Sequence, residues 1–96
     1  MNRKEHLLII AMEECTEVGQ RLSKALRFSL EEVQPGQELT NAERIEYEFN
    51  DLLAVIDMLR KEGHLTNTIN PDMILAKKEK IEKYLLHSEE NGTLTA

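Results

Sequence analysis

Apolar residues spaced three and four apart dominate the first third of the chain. Between about residue 2 and residue 28 they form one stripe: Leu8, Ala11, Cys15, Val18, Leu22 and Leu26. This spacing is typical of a helix that buries one face, because an α-helix turns once every 3.6 residues. The sequence therefore predicts a long first helix, with Cys15 as a small side chain on its buried face.

Capping residues predict two further helices. Thr40 and Glu43 form a capping-box pattern at the start of a second segment, which Gly63 ends. Asn70 followed by Pro71 is typical of the start of a third helix. The apolar stripe of the second segment comprises Ile45, Phe49, Leu52, Leu53, Ile56 and Leu59. No stretch of useful length alternates apolar and polar residues as a strand does.

The segments outside these helices are predicted to be irregular. Residues 29–39 contain Pro35-Gly36, which is typical of a turn, although Ser29 and Glu32 could cap a short helical turn there. The third helix is expected to run to about His87, and residues 88–96 are expected to fray.

The pattern as a whole predicts one all-α domain over residues 1–96. Three helices in so short a chain bury little surface for a freestanding core. We therefore expect antiparallel helices that form a four-helix-type bundle, completed by a second copy of the chain. A homodimer or a dimer of dimers would satisfy this requirement.

Charge and hydropathy exclude two classes of partner. The chain has 12 basic and 18 acidic residues, a net charge of −6, and only 4% aromatic residues, a composition unlike that of nucleic-acid-binding domains. Its longest wholly apolar runs, residues 7–12 and 52–56, are far shorter than the roughly 20 residues of a membrane-spanning helix. With one cysteine and no recognisable signal peptide, we expect a cytoplasmic protein.

Acidic residues are concentrated beside the two apolar stripes. Glu14 and Glu17 lie about 80° and 140° to one side of the first stripe, and Glu48 and Asp51 about 70° and 130° to the same side of the second. In antiparallel helices these offsets bring both pairs into one cleft, where Mg²⁺ or Mn²⁺ would neutralise them. Alternatively, the carboxylates form an ordinary solvated face, with Glu17 paired to Arg21.

The same residues resemble a known family. Glu-Glu-Cys-Thr-Glu at 13–17 and Glu-Phe-Asn-Asp at 48–51 look like the EExxE and ExxD motifs of the MazG-like nucleotide pyrophosphohydrolases. That family belongs to the all-α NTP pyrophosphatase superfamily. The resemblance covers roughly residues 7–62, including the two acidic helices and the loop between them.

The resemblance implies hydrolysis of a nucleoside triphosphate between its α- and β-phosphates, with release of a monophosphate and pyrophosphate. It implies Mg²⁺ as the cofactor, with Mn²⁺ as a possible substitute, and Glu14, Glu17, Glu48 and Asp51 as its ligands. Glu13 is a candidate for the base or for a supporting position beside the metal. The expected role is the cleaning of nucleotide pools.

Basic and amide side chains are candidates for substrate binding. Lys24 and Arg27 near the end of the first helix either contact phosphates or complement the helix dipole. Lys78, on the apolar stripe of the third helix, either leans towards the cleft or snorkels to solvent. Asn41 either binds a base or sugar or belongs to the first turn of the second helix.

Two other functions remain open from the sequence. Phosphoribosyl-ATP pyrophosphohydrolase is a relative of similar size, and nucleotide selectivity would distinguish it. The chain could instead be a non-catalytic helical dimerisation module whose acidic face binds a basic partner. Substitution of the carboxylates discriminates between these classes, because only an enzyme would lose turnover and Mg²⁺-dependent stabilisation.

Overall fold

A computed structural model describes residues 1–95 and contains three helices. They are α1 (Arg3–Phe28), α2 (Asn41–Lys61) and α3 (Pro71–Glu90), with no strand among the described residues. The predicted all-α class is confirmed. None of the three helices has the length and apolar content needed to cross a membrane.

The predicted helix starts are confirmed by hydrogen bonds. Thr40 Oγ1 accepts the backbone N–H of Glu43 at 3.1 Å, and Glu43 Oε1 accepts the backbone N–H of Thr40 at 3.1 Å. Asn70 Oδ1 accepts the N–H of Met73 at 3.1 Å at the start of α3. Each bond satisfies a backbone donor that has no partner within its own helix.

The end of α3 lies beyond the predicted one. The helix continues past His87 to Glu90, so residues 88–90 belong to it and are not frayed. Asn91 follows as the cap residue, and its side chain donates to the backbone carbonyl of His87 at 2.8 Å. Residue 96, the last of the expected tail, lies outside the described residues.

The loop between α1 and α2 contains no helical turn, so the turn capped by Ser29 and Glu32 was a wrong prediction. Asn41 forms hydrogen bonds with both residues instead. Its Nδ2 donates to the Ser29 carbonyl at 2.9 Å and to Glu32 Oε1 at 3.1 Å, while its backbone N–H donates to the Glu32 carbonyl at 2.9 Å. These bonds hold Ser29 at a φ of 83°, which is unfavourable for a residue with a side chain.

The helices α1 and α2 pack antiparallel and enclose the hydrophobic core. Leu7 and Ala11 of α1 meet Val55 and Leu59 of α2 near the end of the hairpin remote from the loop. At the same end, the Arg3 guanidinium binds the Glu62 carboxylate with two bonds of 2.9 and 3.0 Å. The loop closes the other end, so the hairpin is fixed at both ends.

The packed faces coincide only in part with the predicted apolar stripes, since six of the twelve predicted residues are buried or half-buried: Ala11, Val18, Ile45, Leu52, Ile56 and Leu59. On α1 the contact face follows positions 7, 11, 14, 18, 21 and 25, and the centre of the predicted stripe lies about 70° away. Cys15 is exposed, so its assignment to the core was wrong. Five more residues of the two predicted stripes are exposed: Leu8, Leu22, Leu26, Phe49 and Leu53. The observed contact face of α1 also includes the charged residues Glu14 and Arg21, and small side chains at Ala11 and Ala25 let the helices approach along it.

Within the chain, α3 packs against neither α1 nor α2, and it has no buried residue. The radius of gyration is 16.8 Å, against about 12.5 Å for a compact domain of this length. The accessible area of 7,687 Å² exceeds by about 2,000 Å² the value expected for a folded monomer of 11.1 kDa. One chain therefore does not form a four-helix bundle.

Asn41→Ala is expected to lower the free energy of unfolding by about 1–3 kcal/mol, because the substitution leaves the Ser29 carbonyl and Glu32 without the buried amide. Urea denaturation followed by circular dichroism measures this loss. Asn50→Ala is the matched control, since Asn50 is exposed and donates only to a carbonyl of its own helix. An equal effect of both substitutions would contradict the assigned role of Asn41.

Candidate functional site

Three carboxylates converge where the middle of α1 faces α2. Glu14 and Glu17 come from α1 and Glu48 from α2, and one oxygen of each lies within 4.8 Å of the others. Glu14 and Glu48 are half-buried, whereas Glu17 is exposed. The predicted convergence of acidic residues from antiparallel helices is confirmed for these three, which we call the carboxylate cluster.

The cluster lies deeper than the sequence predicted. Because the contact faces are rotated from the predicted stripes, Glu14 and Glu48 lie between the helices and not to one side of the contact. Glu17 follows Glu14 by three residues, which turns it about 60° out of the interface. The cluster therefore has two inner carboxylates and one on its open side.

Asp51 and Glu13 lie around the cluster. Asp51 is exposed, and its negative charge contributes to raising the pKa of both Glu14 and Glu48. Glu13 is exposed as well and raises only the pKa of Glu14. Asp51 is thus close to both inner carboxylates, while Glu13 is peripheral.

The two inner carboxylates have no neutralising partner. Oε2 of Glu14 and Oε2 of Glu48 are both buried without a hydrogen-bond partner among residues 1–95. Desolvation is the largest cause of the raised pKa of each, and the nearby Glu17 raises both further. Like charges at this spacing repel, so the cluster favours binding of a proton or a cation.

The donor set fits a small divalent cation of the Mg²⁺ type. All ligand atoms are carboxylate oxygens, which hard cations prefer, and two of them have no competing bond. Oxygens that share one Mg²⁺ lie at most about 4.2 Å apart, so small side-chain rotations would bring the cluster to that spacing.

No protein-family model, curated protein or solved structure matches the chain.

The predicted substrate-binding residues are dispersed. Lys24 Nζ and the Arg27 guanidinium lie 5.9 and 4.7 Å from the ring centre of Phe28, at the end of α1. The amide nitrogen of Asn41 is engaged with the loop. Lys78 is exposed on α3, which does not approach the cluster within one chain. These four residues remain predictions for substrate contact.

The sequence did not predict that Arg21 is half-buried. Its Nη1 atom is buried and has no hydrogen-bond partner among the described residues. The surface pair with Glu17 is not formed, because the ion pairs in residues 1–95 involve other side chains. The spacing of the sequence does indicate this position, since Arg21 follows Glu17 by one helical turn and Glu14 by two and so lies on the same face of α1 as Glu14.

Glu14→Gln and Glu48→Gln are each expected to raise the melting temperature at pH 7, because each removes a charge that burial disfavours. A carboxyl whose pKa is higher in the folded state destabilises the protein above that pKa. The gain should therefore disappear as the pH falls below the unfolded-state pKa of about 4.3. Thermal melts between pH 3.5 and 8 in the presence of chelator measure this.

Glu79→Gln, on the exposed face of α3, is the control for these melts and should give no comparable gain at pH 7. A fall in melting temperature for both cluster variants at pH 7 would show that the carboxylates stabilise the hairpin, contrary to the assignment.

Proposed function

We propose that the chain is a MazG-like, Mg²⁺-dependent nucleoside triphosphate pyrophosphohydrolase, which cleaves between the α- and β-phosphates to give a monophosphate and pyrophosphate. The observation that carries this proposal is the carboxylate cluster, in which Glu14 and Glu48 each have a buried oxygen without a partner. The proposed role is the cleaning of the cytoplasmic nucleotide pool, and Mn²⁺ is a possible substitute for Mg²⁺.

Electrostatics supports a requirement for metal in this function. An uncompensated group of carboxylates repels the phosphates of a nucleotide, so the cluster and the substrate need a cation between them. Bound Mg²⁺ would supply charge neutralisation of phosphate oxygens and activation of water.

The residues of the chain have distinct roles in this proposal. Glu14 and Glu48 would hold the metal from within the helix interface, and Glu17 and Asp51 would contribute ligands from the open side. Glu13 precedes Glu14 and turns to the same open side as Glu17, about 100° from Glu14. We assign Glu13 to accepting a proton from the attacking water.

The proposed enzyme should convert at least one member of a nucleotide panel to monophosphate and pyrophosphate in the presence of Mg²⁺. The panel contains ribo- and deoxyribonucleoside triphosphates and phosphoribosyl-ATP, and the products are separated by ion-exchange chromatography. Glu17→Gln is expected to lower the turnover by about 10²–10³-fold, because it removes a charge that acts on the reacting phosphate through the metal.

Chelator should abolish the turnover, and Mg²⁺ should raise the melting temperature of the wild type but not of Glu48→Gln. Glu82→Gln on α3 is the control that should retain activity. If the folded protein hydrolyses no member of the panel, or if Glu17→Gln retains full activity, the proposal is wrong. The cluster would then belong to a non-catalytic interaction module.

We also propose that a second copy completes the four-helix-type bundle, as a homodimer or a dimer of dimers. The exposed apolar residues of α1 and α2 support this, because equal rotations on antiparallel helices leave both stripes on one side of the hairpin. The excess accessible area of about 2,000 Å² per chain exceeds the roughly 800 Å² per partner that a stable interface buries. The unpacked helix α3 also has room to dock on a second copy.

Leu22→Glu is expected to convert this dimer into monomers, because it places a charge in the middle of the exposed apolar stripe of α1. Sedimentation equilibrium should give a multiple of 11.1 kDa for the wild type and about 11.1 kDa for the variant. Gln20→Glu adds the same charge to the other side of α1 and should leave the assembly intact. A monomeric wild type would contradict the proposed bundle.

A further inference from the structure

Arg21 lies one helical turn beyond Glu17 on α1, and part of its guanidinium is buried. Its Nη1 is buried and has no partner among residues 1–95. No ion pair in the described part of the chain includes Arg21. A buried cationic donor without an acceptor is costly, which points to an acceptor supplied from outside the chain.

Helix geometry places this guanidinium on the loop side of the cluster. Arg21 follows Glu17 by four residues, a rise of about 6 Å along α1. Side chains on a helix lean towards its N-terminus, and for Arg21 this is the direction of the cluster. Arg21 is also rotated about 20° from Glu14 towards the open side of the cluster.

A second arginine lies opposite. The antiparallel register that sets Arg3 against Glu62 and Glu17 near Glu48 sets position 21 against position 44. Arg44 is half-buried, and its Nη1 donates to Gln34 Oε1 of the loop at 2.7 Å. No ion pair in the described part of the chain includes Arg44. The register therefore sets two arginines without carboxylate partners one helical turn beyond the cluster, on its loop side.

We propose that Arg21, with Arg44 as the second donor, binds a phosphate group of the substrate adjacent to the phosphates held at the carboxylate cluster. This inference rests on the proposed function, since it names the residues that hold the rest of the polyphosphate chain. Guanidinium groups suit this role because their planar donors bind two phosphate oxygens at once. The distance of about 6 Å between successive turns is within the length of a triphosphate.

Arg21→Gln is expected to raise the KM for the nucleotide and the inhibition constant of inorganic tripolyphosphate by about 10–100-fold each, the usual effect of losing a bond to a charged group. Arg21→Lys keeps the charge but loses the paired donors, so it should fall between Arg21→Gln and the wild type. The affinity of the nucleotide-free protein for Mn²⁺, measured by titration calorimetry, should not fall in Arg21→Gln, because Arg21 is not a metal ligand.

The control variant is Arg60→Gln, which removes an exposed arginine paired with Asp57 on α2 and should leave all three constants unchanged. Direct calorimetric binding of tripolyphosphate with Mg²⁺ is measured on every variant, whether or not the protein turns over nucleotides. Circular dichroism verifies that each variant is folded.

The outcomes separate the two proposals. A wild type that binds tripolyphosphate through Arg21 but hydrolyses no nucleotide would overturn the proposed function, whereas the phosphate-binding role of Arg21 would be supported. An active wild type whose tripolyphosphate affinity and KM are unchanged in Arg21→Gln would overturn the role of Arg21. Loss of Mn²⁺ affinity in Arg21→Gln would overturn it too, since Arg21 would then be positioning the carboxylates.

Discussion

The structure depends on the antiparallel packing of α1 against α2, in which two carboxylates occupy positions that a simple hairpin would fill with apolar side chains. Glu14 and Glu48 lie between the buried core at one end and the Asn41 loop contacts at the other. Their mutual repulsion opposes the packing that brings them together. A hairpin fixed at both ends can tolerate this repulsion in its middle.

The contacts at the two ends of the hairpin therefore stabilise the packing around the carboxylate cluster without contacting the cluster itself. Leu59 and its neighbours supply burial at the end remote from the loop, and Asn41 supplies hydrogen bonds at the loop. Repulsion within the carboxylate cluster lowers the free energy of unfolding of the ligand-free protein. A ligand that neutralised these charges would raise it again. Glu14 and Glu48 therefore do not belong to an ordinary solvated acidic face, because solvated carboxylates would turn outwards to water.

Local patterns in the sequence were sufficient to predict the helices, because caps at Thr40 and Asn70 depend on residues within one turn. They were also sufficient to predict that Glu14, Glu17 and Glu48 meet. They did not predict which stripe of each helix faces the other. On α1 the predicted and observed faces differ by only about 70° and share Ala11 and Val18, so the choice depends on close packing at Ala11 and Ala25. The exposure of Cys15 and the burial at Arg21 follow from that choice.

The rotation of the helices also separates the two surfaces that the proposed enzyme needs. Equal rotations on antiparallel helices turn the exposed leucines, such as Leu22 and Leu53, to one side of the hairpin, and Glu17 and Asp51 to the other. A second copy that covers the apolar side would leave the carboxylate side open to nucleotide and metal. The burial of carboxylates within one chain and the apolar surface available to the proposed second copy thus have the same structural cause.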